Sequence, residues 1–312
     1  MPIHFASQSR RTFLRSLSAA GTVAFLASHD RVSAASESTR SPAIDKNLIA
    51  LLSDTHIPRN PSVEAHGVNM TDNLNDVISQ ISSLSVRPAN LLINGDCAYL
   101  KGLPTDYANL ANCLAPLDDL GISLHVTMGN HDDRTALYET FSEQRPAAAA
   151  VASKHVSVLE CEFVNWFLLD TLTQVNVVTG EVGNEQLQWL ARELDARRDK
   201  PAIVMAHHTP QYTEPEPGKP WSGISDTAAF FDVLDNRSHV RGFLYGHSHK
   251  WNVEERRHIK LVNLPPVAYL FSQGLPNGWV SARMSNDSLH LELQTLNPKH
   301  PDSHQQVEIS WS

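Results

Sequence analysis

Side chains of the kinds that bind metal ions follow five short apolar runs of this 312-residue sequence. Each run has the length and composition of a β-strand. The residues at the five ends are, in chain order, Asp54 with His56, Asp96, Asn130 with His131 and Asp132, His207 with His208, and His247 with His249. Imidazole, carboxylate and amide donors without thiolate suit Mn, Fe, Zn or Co better than they suit a cysteine-rich structural zinc site. The pattern therefore predicts a metal site.

The stretch FLYGHSHKW contributes two of these residues, His247 and His249, directly after Gly246. Residues i and i+2 of an extended backbone point to the same face, so both imidazoles could converge on one point. Taken alone, this stretch is better explained by two solvated loop histidines. The four other run ends favour the metal site, and we expect Gly246 to allow the turn that brings both rings inward.

Apolar residues at helical spacing lie between the strand-like runs. The segment TDNLNDVISQISSLSV carries one apolar stripe, and we expect Thr71 to be its N-cap. Asn184 and Asp226 are the predicted N-caps of two further helices. Strands that alternate with helices predict an α/β architecture, in which ligands bind beyond the carboxyl ends of the strands. After residue 258 the pattern changes to strands and hairpins, which we expect to complete a second sheet.

The ordered set Asp-x-His, Gly-Asp, Gly-Asn-His-Asp, His and Gly-His-x-His resembles the calcineurin-like metallophosphoesterase family over residues 47–250. The stretches LLDT, GEVGNEQLQWL and VMAHHTP are also similar to its bacterial branch of cyclic-nucleotide and glycerophosphodiester phosphodiesterases. The resemblance implies a four-layer α/β/β/α sandwich of two mixed sheets flanked by helices. It also implies hydrolysis of a phosphodiester by attack of a metal-bridging hydroxide on phosphorus, the chemistry that paired metal ions support.

The resemblance further implies two ions, divalent or mixed-valence, of Mn, Fe or Zn. The implied ligands are Asp54, His56 and His249 for the first ion, Asn130, His207 and His247 for the second, and Asp96 as the bridge. His131 would stand over the phosphate and stabilise charge or protonate the leaving oxygen. Asp132 would orient His131 through a ring nitrogen.

Two alternatives to a phosphodiesterase stay open at this point. Tyr99, three residues after Asp96, resembles a motif of purple acid phosphatases, in which a tyrosine binds ferric iron. Those enzymes have glycine where this chain has His56, so we expect Tyr99 to pack rather than to bind metal. The first alternative is therefore an acid-phosphatase-like phosphomonoesterase, and the second is a non-catalytic module that binds phosphate or metal.

Several other side chains have no role fixed by the sequence. Contacts with metal or substrate stay open for His66, His208, Tyr212 and Trp221 as well as Tyr99. We expect Asp170 to fix a loop. The three cysteines are widely spaced and are expected in the core, although one disulfide is compatible with their number.

The first 35 residues resemble a twin-arginine export signal. Arg10 and Arg11 precede a modest apolar stretch, and small residues offer cleavage after Ala34 or Ala35. The expected location is the periplasm or cell envelope. We predict a linker at 36–46 and the phosphoesterase domain at 47–312.

Composition limits the partners of this chain. The formal net charge is −9, which argues against a nucleic-acid-binding surface. The sequence contains no run of 18 or more apolar residues, so no transmembrane anchor is expected. The expected partner is a small phosphoester. Its identity, the metals and the oligomeric state are not set by the sequence.

Overall fold

The computed structural model describes residues 42–312. The predicted export signal at 1–35 and the first part of the predicted linker lie outside the described residues. The first strand begins at Ala43, inside the segment predicted to be linker. Every helix of the described part is too short or too polar to span a membrane.

Fourteen strands and six α-helices make up residues 42–312. In chain order, strands β1 to β14 are Ala43–Leu52, Glu64–Ala65, Val68–Asn69, Val86–Asn94, Ser123–Thr127, Ser157–Glu160, Asn165–Leu168, Ala202–Met205, Val240–Tyr245, Asn252–Arg256, Ile259–Asn263, Gly278–Met284, Ser288–Thr295 and Gln306–Ser310. Helices α1 to α6 are Met70–Ser82, Pro104–Leu114, Pro116–Leu120, Arg134–Thr140, Asn184–Ala196 and Thr227–Asp235. A 3₁₀ turn at Ser142–Gln144 follows α4.

The larger strands form two six-stranded mixed sheets. The first has the order β14-β13-β12-β1-β4-β5, and the second has the order β10-β11-β9-β8-β7-β6. The pairs β1–β4 and β4–β5 are parallel, as are β7–β8, β8–β9 and β9–β11. All remaining pairs within the two sheets are antiparallel. The five strands that precede the candidate metal ligands, β1, β4, β5, β8 and β9, all take part in these parallel pairs, which bring their carboxyl ends to one side of each sheet.

Three hydrophobic cores separate four layers. One core lies between the sheets and includes Leu51, Trp166 and Leu244. A second packs the helices α1 and α2 on the outer face of the first sheet and includes Leu74. A third packs α5 and α6 on the second sheet and includes Phe230. These cores confirm the predicted α/β/β/α sandwich, and they bury both faces of the parallel strands.

The C-terminal strands correct one prediction. β10 and β11 join the second sheet, but β12, β13 and β14 extend the first sheet beyond β1. Residues Leu48 to Leu51 of β1 pair with Val280 to Arg283 of β12. An antiparallel strand satisfies the second edge of β1, which would otherwise carry unpaired backbone groups.

Two predicted helix caps are also wrong. The side chain of Asn69, not Thr71, caps α1 by accepting from the backbone N–H groups of Thr71 and Asp72 at 2.9 and 3.2 Å. Gly183, not Asn184, occupies the N-cap position of α5. Asp226 does occupy the N-cap position of α6, but its carboxylate accepts from Val182 and Gly183.

Candidate active site

The carboxyl ends of β1, β4, β5, β8 and β9 converge on one cluster of polar side chains. Three sets of ligand-type atoms each lie within 4.8 Å of one another. The sets are Asp54 with His56 and His249, His56 with Asp96 and His131, and Asp96 with His207 and His247. Every histidine and carboxylate predicted as a ligand therefore lies in one connected cluster.

Asp96 lies between the two ends of the cluster. Its Oδ2 is 3.7 Å from His56 Nε2 and 3.2 Å from His207 Nε2. Its Oδ1 accepts a hydrogen bond of 2.8 Å from the backbone N–H of His131. One carboxylate oxygen thus faces both histidine-bearing sides, while the other fixes the orientation of the group.

At one end of the cluster, His56, His249 and Asp54 point at a common space. His56 Nε2 is 3.0 Å from His249 Nε2, which is 3.4 Å from Asp54 Oδ1. His249 Nδ1 donates to the carbonyl of Tyr269 at 2.6 Å, so neutral His249 presents a lone pair at Nε2. The acceptor nitrogen of His249 and the carboxylate oxygen of Asp54 face one another, and a cation between them would stabilise this arrangement.

At the other end, backbone carbonyls orient His207 and His247. His207 Nδ1 donates to Asn94 O at 2.8 Å, and His247 Nε2 donates to Ser222 O at 2.8 Å. Each ring therefore turns its other nitrogen toward the cluster, where His247 Nδ1 and His207 Nε2 are 3.3 Å apart. Hydrogen bonds of this kind fix the tautomer of metal-binding histidines.

Asn130 adds an oxygen to this end of the site. Its side chain is buried, it lines the same cavity as Asp96 and His247, and its Oδ1 has no hydrogen-bond partner. A buried amide oxygen without a partner is costly in free energy. A bound cation would remove that cost, so Asn130 fits the predicted donor set.

The charges of the cluster set the protonation of its members. Burial would raise the pKa of Asp96, but the charges of His207 and His56 hold it well below its usual range. Burial would lower the pKa of His207, but Asp96 and Asp54 outweigh it and raise the pKa to about 10. Burial lowers the pKa of His56 to about 3 and that of His247 to about 4. Ionised carboxylates and neutral imidazoles are the forms that bind metal ions, so His207 would have to lose its extra ring proton when an ion binds.

Five of the seven predicted ligands have a left-handed backbone. The φ angles are 52° for Asp54, 45° for His56, 47° for Asp96, 68° for His247 and 53° for His249. Such angles cost about 1–2 kcal/mol for a residue with a Cβ atom and concentrate at functional sites. The turns aim these side chains into the cluster instead of continuing the strands.

Gly246 has a different role from the one its position predicts. In the turn after β9, the left-handed residues are His247 and His249, whereas Gly246 does not have a positive φ angle. A Cβ at Gly246 would lie 2.5 Å from Asp54 Oδ2 and would collide with Ser53 Oγ. Glycine is therefore needed for close approach of the two loops.

Comparisons with known proteins agree with this geometry. Residues 48–251 match the calcineurin-like phosphoesterase family. The chain belongs to this family. It is 28% identical over 224 residues to a probable cyclic nucleotide phosphodiesterase of Vesicomyosocius okutanii, covering 71% of this chain and 86% of that one.

A cAMP/cGMP dual specificity phosphodiesterase of Mycobacterium tuberculosis is 30% identical over 199 residues, covering 64% of this chain and 60% of that protein. Other relatives carry the name glycerophosphodiester phosphodiesterase. Among solved structures, a dimetal phosphatase from Danio rerio superposes with a TM-score of 0.65 at 15% identity, covering 86% of this chain and 100% of that chain. That likeness agrees with the sandwich fold.

The predicted contact between Asp132 and the ring of His131 is not present in this phosphoesterase. His131 Nδ1 donates to the carbonyl of Leu100 at 2.9 Å. The carboxylate of Asp132 is fully buried and accepts from backbone N–H groups of Cys97, Ala98 and Gly129 and from the hydroxyl of Tyr107. Asp132 therefore ties together the loops that carry Asp96 and Asn130, and a backbone carbonyl orients His131.

Other residues left open by the sequence can now be located. Tyr99 is partly buried against the core beneath the first sheet. His208 is buried, shares a hydrogen bond of 2.7 Å with Thr171 Oγ1 and leaves Nε2 without a partner. Asp170 fixes a loop as predicted, because its carboxylate accepts from Arg134 and from the backbone of His155 and Leu172.

All three cysteines are free thiols. Cys97 and Cys113 are buried in the core between the first sheet and its helices, and Cys161 is partly buried against the core between the sheets. This agrees with their prediction as core residues and leaves no disulfide.

A cavity of about 250 Å³ opens over the cluster. Besides predicted site residues, it is lined by Asn176, Val178, Tyr269 and Phe271. Sequence reasoning missed these four, since they lie in irregular segments with no ligand-type spacing. The segment that carries Tyr269 and Phe271 reaches the site because the backbone N–H groups just before it, of Val267 and Ala268, donate to the carbonyls of Ser53 and Asp54.

Of the three remaining residues without a role fixed by the sequence, His66 lies beside the residues that line the cavity. His66, at the tip of the β2–β3 hairpin, stacks on Tyr269 with ring centroids 4.4 Å apart. Tyr212 lies against Phe231 and Arg256 instead. Among residues 42–312, neither Tyr212 nor Trp221 lines the cavity over the cluster.

Proposed function

We propose that this protein is a dinuclear metal-dependent phosphodiesterase. The observation that carries the proposal is the position of Asp96 Oδ2 between His56 Nε2 and His207 Nε2. This is where a bridging carboxylate would lie. The ligands would be Asp54, His56 and His249 for one ion, Asn130, His207 and His247 for the other, and Asp96 for both. When bound, two such ions would lower the pKa of water and polarise the phosphoryl oxygen.

A diester fits the cavity better than a monoester. Among residues 42–312, the side chains that line the cavity include no lysine and no arginine. A phosphomonoester dianion carries one more negative charge than a diester and needs more cationic partners. Relatives named as cyclic nucleotide phosphodiesterases and glycerophosphodiester phosphodiesterases support the same choice. Cyclic nucleotides and glycerophosphodiesters are therefore the substrate classes to test first.

His131 is the proposed proton donor. Leu100 O engages its Nδ1, so Nε2 is the ring nitrogen left for the substrate. The backbone N–H of His131 is held by Asp96, which keeps the ring at the wall of the cavity. In the proposed reaction, water adds to phosphorus and one ester P–O bond breaks. His131, carrying a proton on Nε2 as well as on Nδ1, gives the Nε2 proton to the oxygen that leaves. The attacking water loses a proton to solvent, and solvent returns one to Nε2.

The test combines elemental analysis with a phosphoester panel. Purified protein should carry two ions per chain, and it should hydrolyse bis-aryl phosphate, cyclic nucleotides or glycerophosphodiesters faster than mono-aryl phosphate. Faster turnover of the mono-aryl ester would instead support an acid-phosphatase-like monoesterase. Stoichiometric metal with no turnover on any ester would make the protein a binding module and overturn the proposal.

We also propose that the protein is exported. The support is the resemblance of residues 1–35 to a twin-arginine signal, with Arg10 and Arg11 as its central pair. In a bacterial host, the full chain should be found in the periplasmic fraction. The double substitution Arg10→Lys, Arg11→Lys should keep it in the cytoplasm, and unchanged fractionation would contradict the proposal.

A further inference from the structure

Three aromatic side chains form an aromatic rim over one side of the cluster: His66, Tyr269 and Phe271. Tyr269 is buried and stacks between His56 at 5.0 Å and His66 at 4.4 Å. Phe271 stacks on the imidazole of His249, with ring centroids 4.3 Å apart and an interplanar angle of 25°. The rim therefore continues directly from two residues of the candidate metal cluster.

Phe271 is the exposed member of the rim. Its side chain is 59% exposed although it lines the cavity, whereas Tyr269 beside it is 6% exposed. Such exposure of a large apolar ring has no benefit for folding, since burial would stabilise it. A ring that is held in place by stacking on one neighbour and open to solvent elsewhere is suited to contact a ligand.

Exposed apolar side chains are concentrated around this opening. Seven large apolar residues are exposed among residues 42–312, and three of them lie on loops beside the cavity. They are Phe271, Leu100, whose carbonyl binds His131, and Val177, which lies between the lining residues Asn176 and Val178. Apolar exposure that surrounds a polar cluster indicates a ligand with a polar and an apolar part.

The size of the cavity decides where each part would lie. Its volume of about 250 Å³ is below the 300–1,000 Å³ that is usual for pockets that enclose a drug-sized ligand. The cluster at its floor would take the phosphate. The organic substituent of a larger phosphoester would then have to extend past the mouth, where Phe271 is exposed.

We propose that Phe271 is a specificity-determining residue that stacks on a planar aromatic substituent of the phosphoester, such as a nucleobase. This rests on the proposed function for the place of the phosphate. An aromatic ring gives a flat partner contact area at a small entropy cost, and every nucleobase has a π-face to offer. His66 and Tyr269 pack beside the ring of Phe271, and each of their ring centroids lies 5.7 Å from the centroid of Phe271.

The experiment measures equilibrium binding to the metal-loaded protein, so that it does not depend on turnover. Isothermal titration calorimetry compares adenosine 5′-monophosphate with ribose 5-phosphate, which share the sugar phosphate and differ in the base. The parent should bind the nucleotide about tenfold more tightly, and Phe271→Ala should reduce this preference to about twofold or less. Phe271→Trp should retain it, because the larger ring still stacks.

Matched variants separate stacking from general damage. Tyr212→Ala removes another exposed aromatic ring, 55% exposed and outside the cavity, and should leave the preference unchanged. Metal content and the thermal unfolding midpoint of Phe271→Ala should match the parent. A parent without preference for the nucleotide, or Phe271→Ala with the parent's preference, would overturn the role of Phe271.

Turnover distinguishes this inference from the proposed function. In the diesterase, Phe271→Ala should lower kcat/KM about tenfold for cyclic AMP and leave it unchanged for glycerophosphoethanolamine, which has no aromatic group. Equal losses on both substrates would again overturn the inference. Binding preference that depends on Phe271 in a protein with no diesterase turnover would overturn the proposed function and retain the stacking site.

Discussion

The two sheets contribute chemically different halves of the candidate site. Of the seven candidate ligands, loops after strands of the first sheet carry both carboxylates, Asp54 and Asp96, together with one amide and one imidazole. Loops after strands of the second sheet carry only imidazoles: His207, His247 and His249. The carboxylate ligands thus come from one sheet, and most of the nitrogen ligands come from the other.

Neither sheet alone therefore supplies all the candidate ligands of either metal ion. The halves are joined by polar contacts at the seam between them. The N–H of His247 donates to the carboxylate of Asp54 at 3.2 Å, and His207 Nδ1 donates to Asn94 O at 2.8 Å. The same contacts that orient the ligands therefore hold the two sheets in register.

The largest test of the comparison removes the carboxylate that faces both sheets. Asp96→Asn keeps the shape of the side chain and removes its charge. We expect loss of both ions and a fall in kcat of about 10³-fold or more, since the ions supply several kcal/mol of transition-state stabilisation. Elemental analysis and diester hydrolysis measure both effects.

Asp133→Asn is the matched control for that substitution. Asp133 caps α4 through its carboxylate, and asparagine caps helices equally well. Parental metal content and activity are expected. If Asp96→Asn retained both ions, the bridging role of Asp96 would be wrong.

Two single substitutions in the second sheet sharpen the comparison further. His249→Ala should release mainly the ion shared with Asp54 and His56, and His247→Ala should release mainly the other. Each variant should keep about one of the two ions under conditions that load the parent fully. Equal loss of both ions from either variant would contradict the division of ligands.

A third test addresses the link between the halves away from the site. Asp170, at the end of β7, accepts from Arg134 of α4 at 2.6 and 2.8 Å and is fully buried. Asp170→Asn should lower the free energy of unfolding by about 3–5 kcal/mol, because Arg134 loses its partner in a largely buried place. Urea unfolding followed by circular dichroism measures this change.

The surface pair of Asp195 and Arg237 provides the control for Asp170. Asp195→Asn should cost less than about 1 kcal/mol, since the carboxylate is exposed to solvent and salt. Equal losses in the two variants would mean that the buried pair does not join the halves.

The smallest expected effect is a pH dependence at the edge of the sandwich. His155 is buried, donates from Nε2 to Val126 O of the first sheet and accepts at Nδ1 from Tyr138. Burial lowers the pKa of His155 below its ordinary value of 6.5. The unfolded chain therefore binds a proton that the folded chain does not, and stability falls as the pH drops below about 6.5.

His155→Gln should make this loss of stability shallower by up to about 1.4 kcal/mol per pH unit. Unfolding midpoints between pH 7.0 and 5.5 measure the slope. His290→Gln, an exposed histidine of β13, should retain the parental slope. A slope that His155→Gln leaves unchanged would show that His155 does not contribute.

Much of this architecture could be predicted because apolar runs followed by ligand-type residues are local signals. The order of strands and helices, the seven candidate ligands and the loop-fixing role of Asp170 all follow from such runs. The sheet to which β12 belongs could not be predicted, since pairing of β12 with β1 depends on packing between distant segments. For the same reason, no pattern predicted that Asp132 binds three backbone N–H groups instead of His131.

The site's surroundings were harder to predict than its ligands. Phe271 and Asn176 lie in irregular segments, and nothing in their spacing marks them as cavity residues. The left-handed turns at five ligands were also missed, because non-glycine residues in that conformation have no compositional signal.

The pairing of β1 with β12 has a consequence for how this protein can be made. All seven candidate ligands lie between residues 54 and 249, but the strand that precedes the first of them gains its second neighbour only from residues 278–284. When the last candidate ligand residue of a nascent chain has left the ribosome, one edge of β1 still has no partner strand. Complete pairing of β1 therefore requires residues 278–284, late in the chain. A shortened chain that ends after residue 251 would keep all candidate ligands but would leave one edge of β1 unpaired, which favours aggregation.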